Sequence, residues 1–213
     1  MPQRKYEQTL RAESAEETRR RILDAVADQL RAAPTDPVSL DAVARRARVA
    51  RSTLYTTFGS RSGLFEAFLE DLWSRTGLAA LSTAVQAPDA IEHLRAGIAA
   101  ASRMYADDLA LYRVLFSMGR LDPDSTGRAL RTMEDERAGG MLFLARHLAE
   151  AGALRPDVSV ERAADVLWLI CSFDSLETLL TARNLSLDDS IDLLTTTAIR
   201  ALCRPADGVG STD

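Results

Sequence analysis

Scarcity is the first informative property of this sequence. Among 213 residues there are two cysteines, two histidines and one lysine, and no stretch reaches 18 uninterrupted apolar residues. Without such a run there is no candidate membrane-spanning helix. The opening MPQRKYEQTLRAESAEETRRR is too polar for a secretory signal, so a cytoplasmic protein without membrane association is expected. Cys171 and Cys203 have no neighbouring Cys or His at metal-ligand spacing and read as reduced packing residues. His93 and His147 lie far apart and fit no pattern such as H-E-x-x-H. A Gly-rich phosphate loop, a G-x-S-x-G elbow and a paired-Cys motif are all missing. No catalytic residue, metal or cofactor is therefore expected, and the chain is not read as an enzyme.

What is present is charge of both signs, unevenly spread. The formal net charge is -5. Residues 1 to 62 nevertheless carry 12 basic and 8 acidic side chains, whereas the remainder carries 14 and 23. A basic head on an acidic body argues against coating nucleic acid along the whole surface and leaves room for a local anionic partner.

The hydrophobic fraction of 46% suffices for a buried core. Apolar residues recur at helical spacing almost throughout, and no β-branched run alternates as in a strand. The expected fold is all-α, with about nine helices. Ser14 and Glu17 have capping-box spacing, and Ile22, Leu23, Val26, Ala27 and Leu30 mark the apolar face of the helix that follows. Pro34 and Pro37 end it. Ser39 is placed to cap a short helix carrying Leu40, Val43, Ala44 and Ala47, and another short helix spans about Arg51 to Phe58. From Ser60 a helix through Leu64, Phe65, Phe68 and Leu72 leads into a larger helical bundle. Later helices carry Ile91 to Tyr105, then LALYRVLFSMG, then Leu130 to Leu148. Gly139 and Gly140 interrupt the last of these, which predicts a bend or close packing. The final two helices are expected over about Val160 to Arg183 and, opened by Ser186, about Leu187 to Leu202. The domains expected are a three-helix unit at 14–60, a helical body at 61–204, and a disordered tail at 205–213.

Two helices of about eight residues joined by a short turn are marginal in isolation and need tertiary support. Packed on the first helix they form a helix-turn-helix, with its motif at about 39–58, whose second helix suits the major groove of DNA. That helix offers Arg51, Ser52, Thr53, Tyr55, Thr56 and Thr57 as hydrogen-bonding groups, while Leu54 and Phe58, four apart, can face a core.

The segment SLDAVARRARVARSTLYTTFGSRSGLFEAFL, Ser39 to Leu69, resembles the DNA-binding domain of the TetR family of bacterial regulators. The resemblance rests on Ser39 opening the first short helix, Ala44 to Ala47 before the turn, Val49 within it, Thr53-Leu54-Tyr55, Phe58, Ser60 and Leu64. With the preceding helix it covers about residues 16 to 76. It implies that Arg51, Ser52 and Thr53 lie near base edges and that Ser39, Tyr55, Thr57 and Arg61 contact phosphates. Arg51 is the leading candidate to read guanine, since a guanidinium donates two hydrogen bonds to one base. Arg45, Arg46 and Arg48 would add salt-sensitive attraction. The sequence departs from the family pattern at Arg48, where Gly is usual in the turn, at Ala50, where Ser commonly caps the helix, and at Gly63, which is often acidic.

For the body, the resemblance implies dimerisation and a small-molecule effector, with DNA released on binding. Repression is then the expected mode. From the residues themselves, the helix bearing Leu167, Trp168, Leu169, Ile170 and Cys171 is apolar around most of its circumference, which suggests burial against a second subunit. Leu167, Ile170, Cys171, Ile191, Leu194 and Ala198 are the dimer candidates, and a homodimer predicts a roughly palindromic operator. Tyr105, Tyr112, Phe116, Met133, Met141, Trp168 and Phe173 are candidates to line a mainly apolar effector cavity, with plain core packing as the competing reading. His147 is a candidate to orient a polar ligand atom. The alternative function is an all-α ligand-binding or scaffold protein without specific DNA binding.

Overall fold

The computed structural model describes residues 2–87 and 89–205; the tail expected to be disordered lies, from residue 206, outside the described residues. Eleven α-helices and one π-helical turn, with no strand, account for the described residues that are in regular structure. The helices are α1 (Pro2–Ala32), α2 (Leu40–Ala47), α3 (Arg51–Phe58), α4 (Arg61–Thr76), α5 (Leu78–Val85) and α6 (Ala90–Asp107). They continue as α7 (Leu109–Leu121), α8 (Thr126–Glu150), α9 (Val160–Ile170), α10 (Phe173–Glu177), the π-helical turn Thr178–Ala182 and α11 (Leu187–Leu202).

The all-α expectation holds, with three differences in detail. The first helix begins at Pro2 rather than at Ser14, whose carbonyl instead accepts from Thr18 Oγ1 at 2.8 Å within the helix. Residues 3–13 contain neither Gly nor Pro, and Pro2 stands at the first helical position, where its missing N–H costs nothing. Helix α5 was not separately expected. The single helix expected over Val160 to Arg183 is divided at Cys171, because Ser172 adopts an extended backbone and its hydroxyl caps α10 by accepting from Ser175 N at 3.1 Å. These divisions raise the helix count from about nine to eleven.

The chain forms two compact units. One comprises the residues up to Leu72 together with Ala110–Met133; the other comprises Trp73–Leu109 and the described residues from Glu134 onward. In the first, Ile22, Leu23, Val26 and Leu30 of α1 are buried, as are Val43, Ala44 and Ala47 of α2, with α1 packing on α2 and α2 on α3. Burying each of the Val, Ile and Leu side chains among these contributes roughly 1.5 to 3 kcal/mol, which supplies the support that two eight-residue helices need. In the second, α6 packs on α5 and α11, and Leu94, Ile98 and Tyr105 of α6 are buried along with Leu167 and Ala198. Side-chain caps open its helices: Asp89 for α6, Ser159 for α9 and Ser186 for α11. Helix α8 runs unbroken through Gly139 and Gly140, and a Cβ on either would meet nothing within 4 Å, so close packing is not the reason for the pair.

Candidate nucleic-acid interface and body cavity

The turn between α2 and α3 is built on residue 48. Arg48 takes up a left-handed conformation (φ 56°, ψ 46°), and its N–H donates to Ala44 and Arg45 carbonyls to close α2. A non-glycine residue there costs about 1 to 2 kcal/mol. Ala50 then opens α3 with an extended backbone and no side-chain cap, although its carbonyl accepts from Thr53 N at 2.9 Å. Both departures noted in the sequence thus fall on this turn, and both omit a stabilising contribution. Ser39, by contrast, caps α2 by accepting from Ala42 N at 3.4 Å. Gly63 has a steric reason: a Cβ would stand 2.2 Å from the Phe58 carbonyl oxygen, and Gly63 N donates instead to the Ser60 hydroxyl at 2.9 Å.

Helix α3 separates its faces. Leu54 is buried, Thr53 and Thr57 are half-buried, and Arg51, Ser52, Tyr55 and Thr56 are exposed. The Thr56 hydroxyl donates to the Ser52 carbonyl at 3.0 Å. Arg51 Nη1 donates to both carboxylate oxygens of Asp41 at 3.0 Å, and its guanidinium carbon lies 6.0 Å from the centre of the Tyr55 ring. Arg51 is therefore an exposed donor held in place by α2. Arg46 is similarly tied to Asp28 at 3.1 Å, while Arg45 and Arg48 are exposed.

Arg61 stands apart from the other DNA candidates. Its Nη1 donates to the Val38 carbonyl at 2.7 Å and its Nε to the Ser125 hydroxyl at 3.0 Å and to Asp122 at 3.3 Å. Burial pushes the Asp122 carboxyl up, but hydrogen bonding from Ser125 and the Arg61 charge outweigh it and hold it below the usual carboxylate range. Arg61 thus ties the start of α4 to the loop before α2 and to the α7–α8 connection, all within one unit.

The second unit encloses a cavity of about 270 Å³. Its lining is mainly apolar and includes Trp73, Val85, Ile98, Met104, Tyr105, Met141, Phe143 and Leu144, joined by the ionisable residues His93, Glu136, Arg137 and Cys171, of which Glu136 is exposed. His93 is buried and its Nδ1 lies 3.0 Å from Nδ1 of His147, so one ring nitrogen of this pair carries a proton and the other does not. Burial, and secondarily the neighbouring His147, holds His93 below the ordinary imidazole value. Arg137 is fully engaged: it pairs with Glu134, donates to the Trp168 carbonyl at 2.7 Å and stacks 4.7 Å from the Trp168 ring centre. Burial pushes the Cys171 thiol up to about 12, which makes it a packing group rather than a nucleophile.

Of the residues put forward for this cavity, Tyr105 and Met141 line it. Tyr112, Phe116 and Met133 belong to the other unit, where Tyr112 and Met133 are buried. Phe173 is buried edge-on against Tyr105, with ring centres 5.7 Å apart, and Trp168 is 41% exposed. Sequence spacing did not single out Trp73, His93, Met104, Arg137 or Phe143. The isolated histidines are the one available signal: His147 is a candidate for ligand contact from sequence, but nothing in the sequence pairs it with His93.

The dimer candidates need correction. Leu167, Ile170, Cys171, Leu194 and Ala198 are buried within their own unit, because α9 and α11 pack on each other and α11 also packs on α6; Ile191 is half-buried. The large apolar side chains left exposed on α9 and α11 are Trp168, Leu169 at 61% and Leu193 at 45%. Leu193 lies beside a surface groove that also includes Asp174, Thr178 and Leu179.

Residues 22–68 match the family model described as "Bacterial regulatory proteins, tetR family". No protein of curated function matches the sequence. Solved structures with a similar fold include a protein of Syntrophomonas wolfei str. Goettingen assigned to the TetR-family transcriptional regulators (TM-score 0.71, 16% identity, covering 93% of this chain and 99% of that one). A TetR family transcription regulator of Marinobacter aquaeolei VT8 is similar at TM-score 0.67 and 18% identity, covering 91% and 100%. NalD of Pseudomonas aeruginosa, the secondary repressor of the MexAB-OprM multidrug efflux pump, is similar at TM-score 0.67 and 20% identity, covering 90% and 98%. Among the described residues, no helix is long and apolar enough to cross a membrane.

Proposed function

We propose that this chain, whose residues 22–68 match the model of the tetR family of bacterial regulatory proteins, is a homodimeric repressor of that family, released from a roughly palindromic operator by a small, mainly apolar ligand. The observation that carries the reading is α3 itself. A helix of eight residues buries Leu54 and exposes Arg51, Ser52, Tyr55 and Thr56 on the other side, with Arg51 oriented by Asp41. Such a surface is of little use to a folded chain alone and suits a groove lined with hydrogen-bonding edges and phosphates.

In this reading residues 14–60 bind DNA and residues 61–204 bind the effector and the second subunit. Arg51, Ser52 and Thr53 meet base edges; Ser39, Tyr55, Thr56 and Thr57 position the helix on the sugar–phosphate backbone. Arg61 adds a phosphate contact from a guanidinium already anchored by three partners. Trp168, Leu169 and Leu193, with the groove beside Leu193, take the place of the buried residues as the surface of the dimer. Repression follows the description of NalD, a likeness of fold.

The test is gel-shift binding of the full-length protein to the DNA upstream of its own gene across a salt series. Specific binding should fall steeply with salt. Arg51→Ala should relax base preference at one position by roughly tenfold to a hundredfold, whereas Arg61→Ala should weaken all sequences alike. A protein that shifts no fragment specifically is instead an all-α ligand-binding or scaffold protein. If both variants bind as the parent does, the residue roles are wrong.

A further inference from the structure

From the second unit's cavity we infer the chemical class of its ligand: an uncharged, mainly apolar molecule bearing a hydroxyl or carbonyl oxygen, received by the indole N–H of Trp73 and by His93. This deepens the effector reading above and rests on it for the ligand's role, though not for its binding. Three observations converge. First, Trp73 Nε1 is buried and has no hydrogen-bond partner among the described residues, and Trp73 lines the cavity. A buried N–H without an acceptor is costly, and indole can only donate, so the missing partner is an acceptor atom.

Second, His93 faces the same cavity with one nitrogen committed. Its Nδ1 is shared with His147 Nδ1 at 3.0 Å, and this is its hydrogen bond among the described residues, which leaves Nε2 for a ligand. The two tautomers of the pair make His93 Nε2 either donor or acceptor, so the pair adapts to a hydroxyl, which does both, or to a carbonyl, which accepts. Third, among the described residues the cavity offers no unneutralised cation. Among the described residues Arg137 is its only basic lining residue besides His93, and it is paired with Glu134 and stacked on Trp168. A buried carboxylate would lack a counter-charge there; Glu136, the one carboxylate of the lining, belongs to an exposed residue that water already solvates, and an ammonium at Trp73 would meet a donor and, in one tautomer of His93, a second. The remaining contacts, from Ile98, Met104, Met141 and Phe143, ask only for apolar surface.

The experiment uses the full-length, DNA-free protein and two matched probe series followed by calorimetry and thermal shift. One is flat (naphthalene, 2-naphthol, 2-naphthoate, 2-naphthylmethylammonium) and the other linear (octane, 1-octanol, octanoate, octylammonium). In at least one series the alcohol should bind tightest. Trp73→Phe should cost that alcohol roughly threefold to tenfold in affinity and leave its parent hydrocarbon unchanged. His93→Met should do the same. Gly140→Leu fills the cavity from a position where an added Cβ meets nothing within 4 Å, and should abolish binding of every probe while leaving the protein folded. The inference is overturned if a charged member binds as tightly as its alcohol, if Trp73→Phe weakens hydrocarbon and alcohol equally, if Gly140→Leu leaves binding intact, or if no probe binds. An alcohol that binds as expected without releasing the operator would instead overturn the effector reading and leave the ligand class standing.

Discussion

Helices α2 and α3 and helices α9 and α11 leave opposite kinds of side chain uncovered. The first pair buries Val43, Ala44, Ala47 and Leu54 and exposes arginines and hydroxyls, two of the arginines being tied by the ion pairs Arg51–Asp41 and Arg46–Asp28. Its exposed aromatic residue, Tyr55, carries a hydroxyl. The second set exposes Trp168, Leu169 and Leu193, which water does not reward and only another apolar surface can cover. Under the proposed function the first surface meets DNA and the second meets another copy of the chain. Binding at the first should weaken with salt, while association at the second should be nearly indifferent to it.

The sharpest way to break this comparison is to damage the hidden side of the first surface. Leu54 is 3% exposed, so Leu54→Ala should cost about 2 to 5 kcal/mol in urea unfolding and abolish operator binding without touching any DNA-facing group. A stability loss under about 1 kcal/mol would mean that α3 is not held by its buried face. The matching change on the second surface is Leu169→Ser with Leu193→Ser. Sedimentation equilibrium should show dimer affinity weakened by at least about thirtyfold, roughly 2 kcal/mol, while the unfolding of the monomer shifts by no more than about 0.5 kcal/mol. An unchanged dimer would place the interface elsewhere.

The two surfaces were also unequally legible in the sequence. The boundaries of α2 and α3, the burial of Leu54 and the exposure of Arg51 all follow from local rules, since a short amphipathic helix must turn its few apolar residues inward. On α9 and α11 the same rule could not say which apolar residue faces a neighbour within the chain and which faces outside it. Leu167 and Leu169 are chemically alike and two residues apart, and only the packing of α9 against α11 buries the first and exposes the second. The cavity was harder still. His93 and His147 are 54 residues apart, and their 3.0 Å contact depends on α6 and α8 converging, which periodicity does not encode.

A smaller effect probes the turn at Arg48. With φ at 56°, Arg48→Gly should stabilise the protein by about 1 to 2 kcal/mol in urea unfolding, because glycine adopts this conformation without strain. If the arginine is retained for its charge, the same variant should reduce the salt dependence of operator binding by about one phosphate contact. Stability gained with the salt slope unchanged would show that the departure at this position serves no electrostatic purpose.

The smallest effect separates the interior of the second unit from the charged exterior of the first. His93 is held below the ordinary imidazole value of about 6.5, whereas in the unfolded chain it titrates near that value. Above pH 6.5 it is neutral in both states and adds no pH dependence. As pH falls below 6.5 the unfolded chain takes up the proton first, so stability falls with pH, at a slope that cannot exceed about 1.4 kcal/mol per unit for one group, and levels off once the folded protein also protonates. Urea unfolding from pH 7.5 to 5.0 should therefore show a steeper acid loss in the parent than in His93→Gln. Equal slopes would mean that His93 takes up its proton as readily inside the cavity wall as in water, and that its burial beside His147 sets no pH dependence.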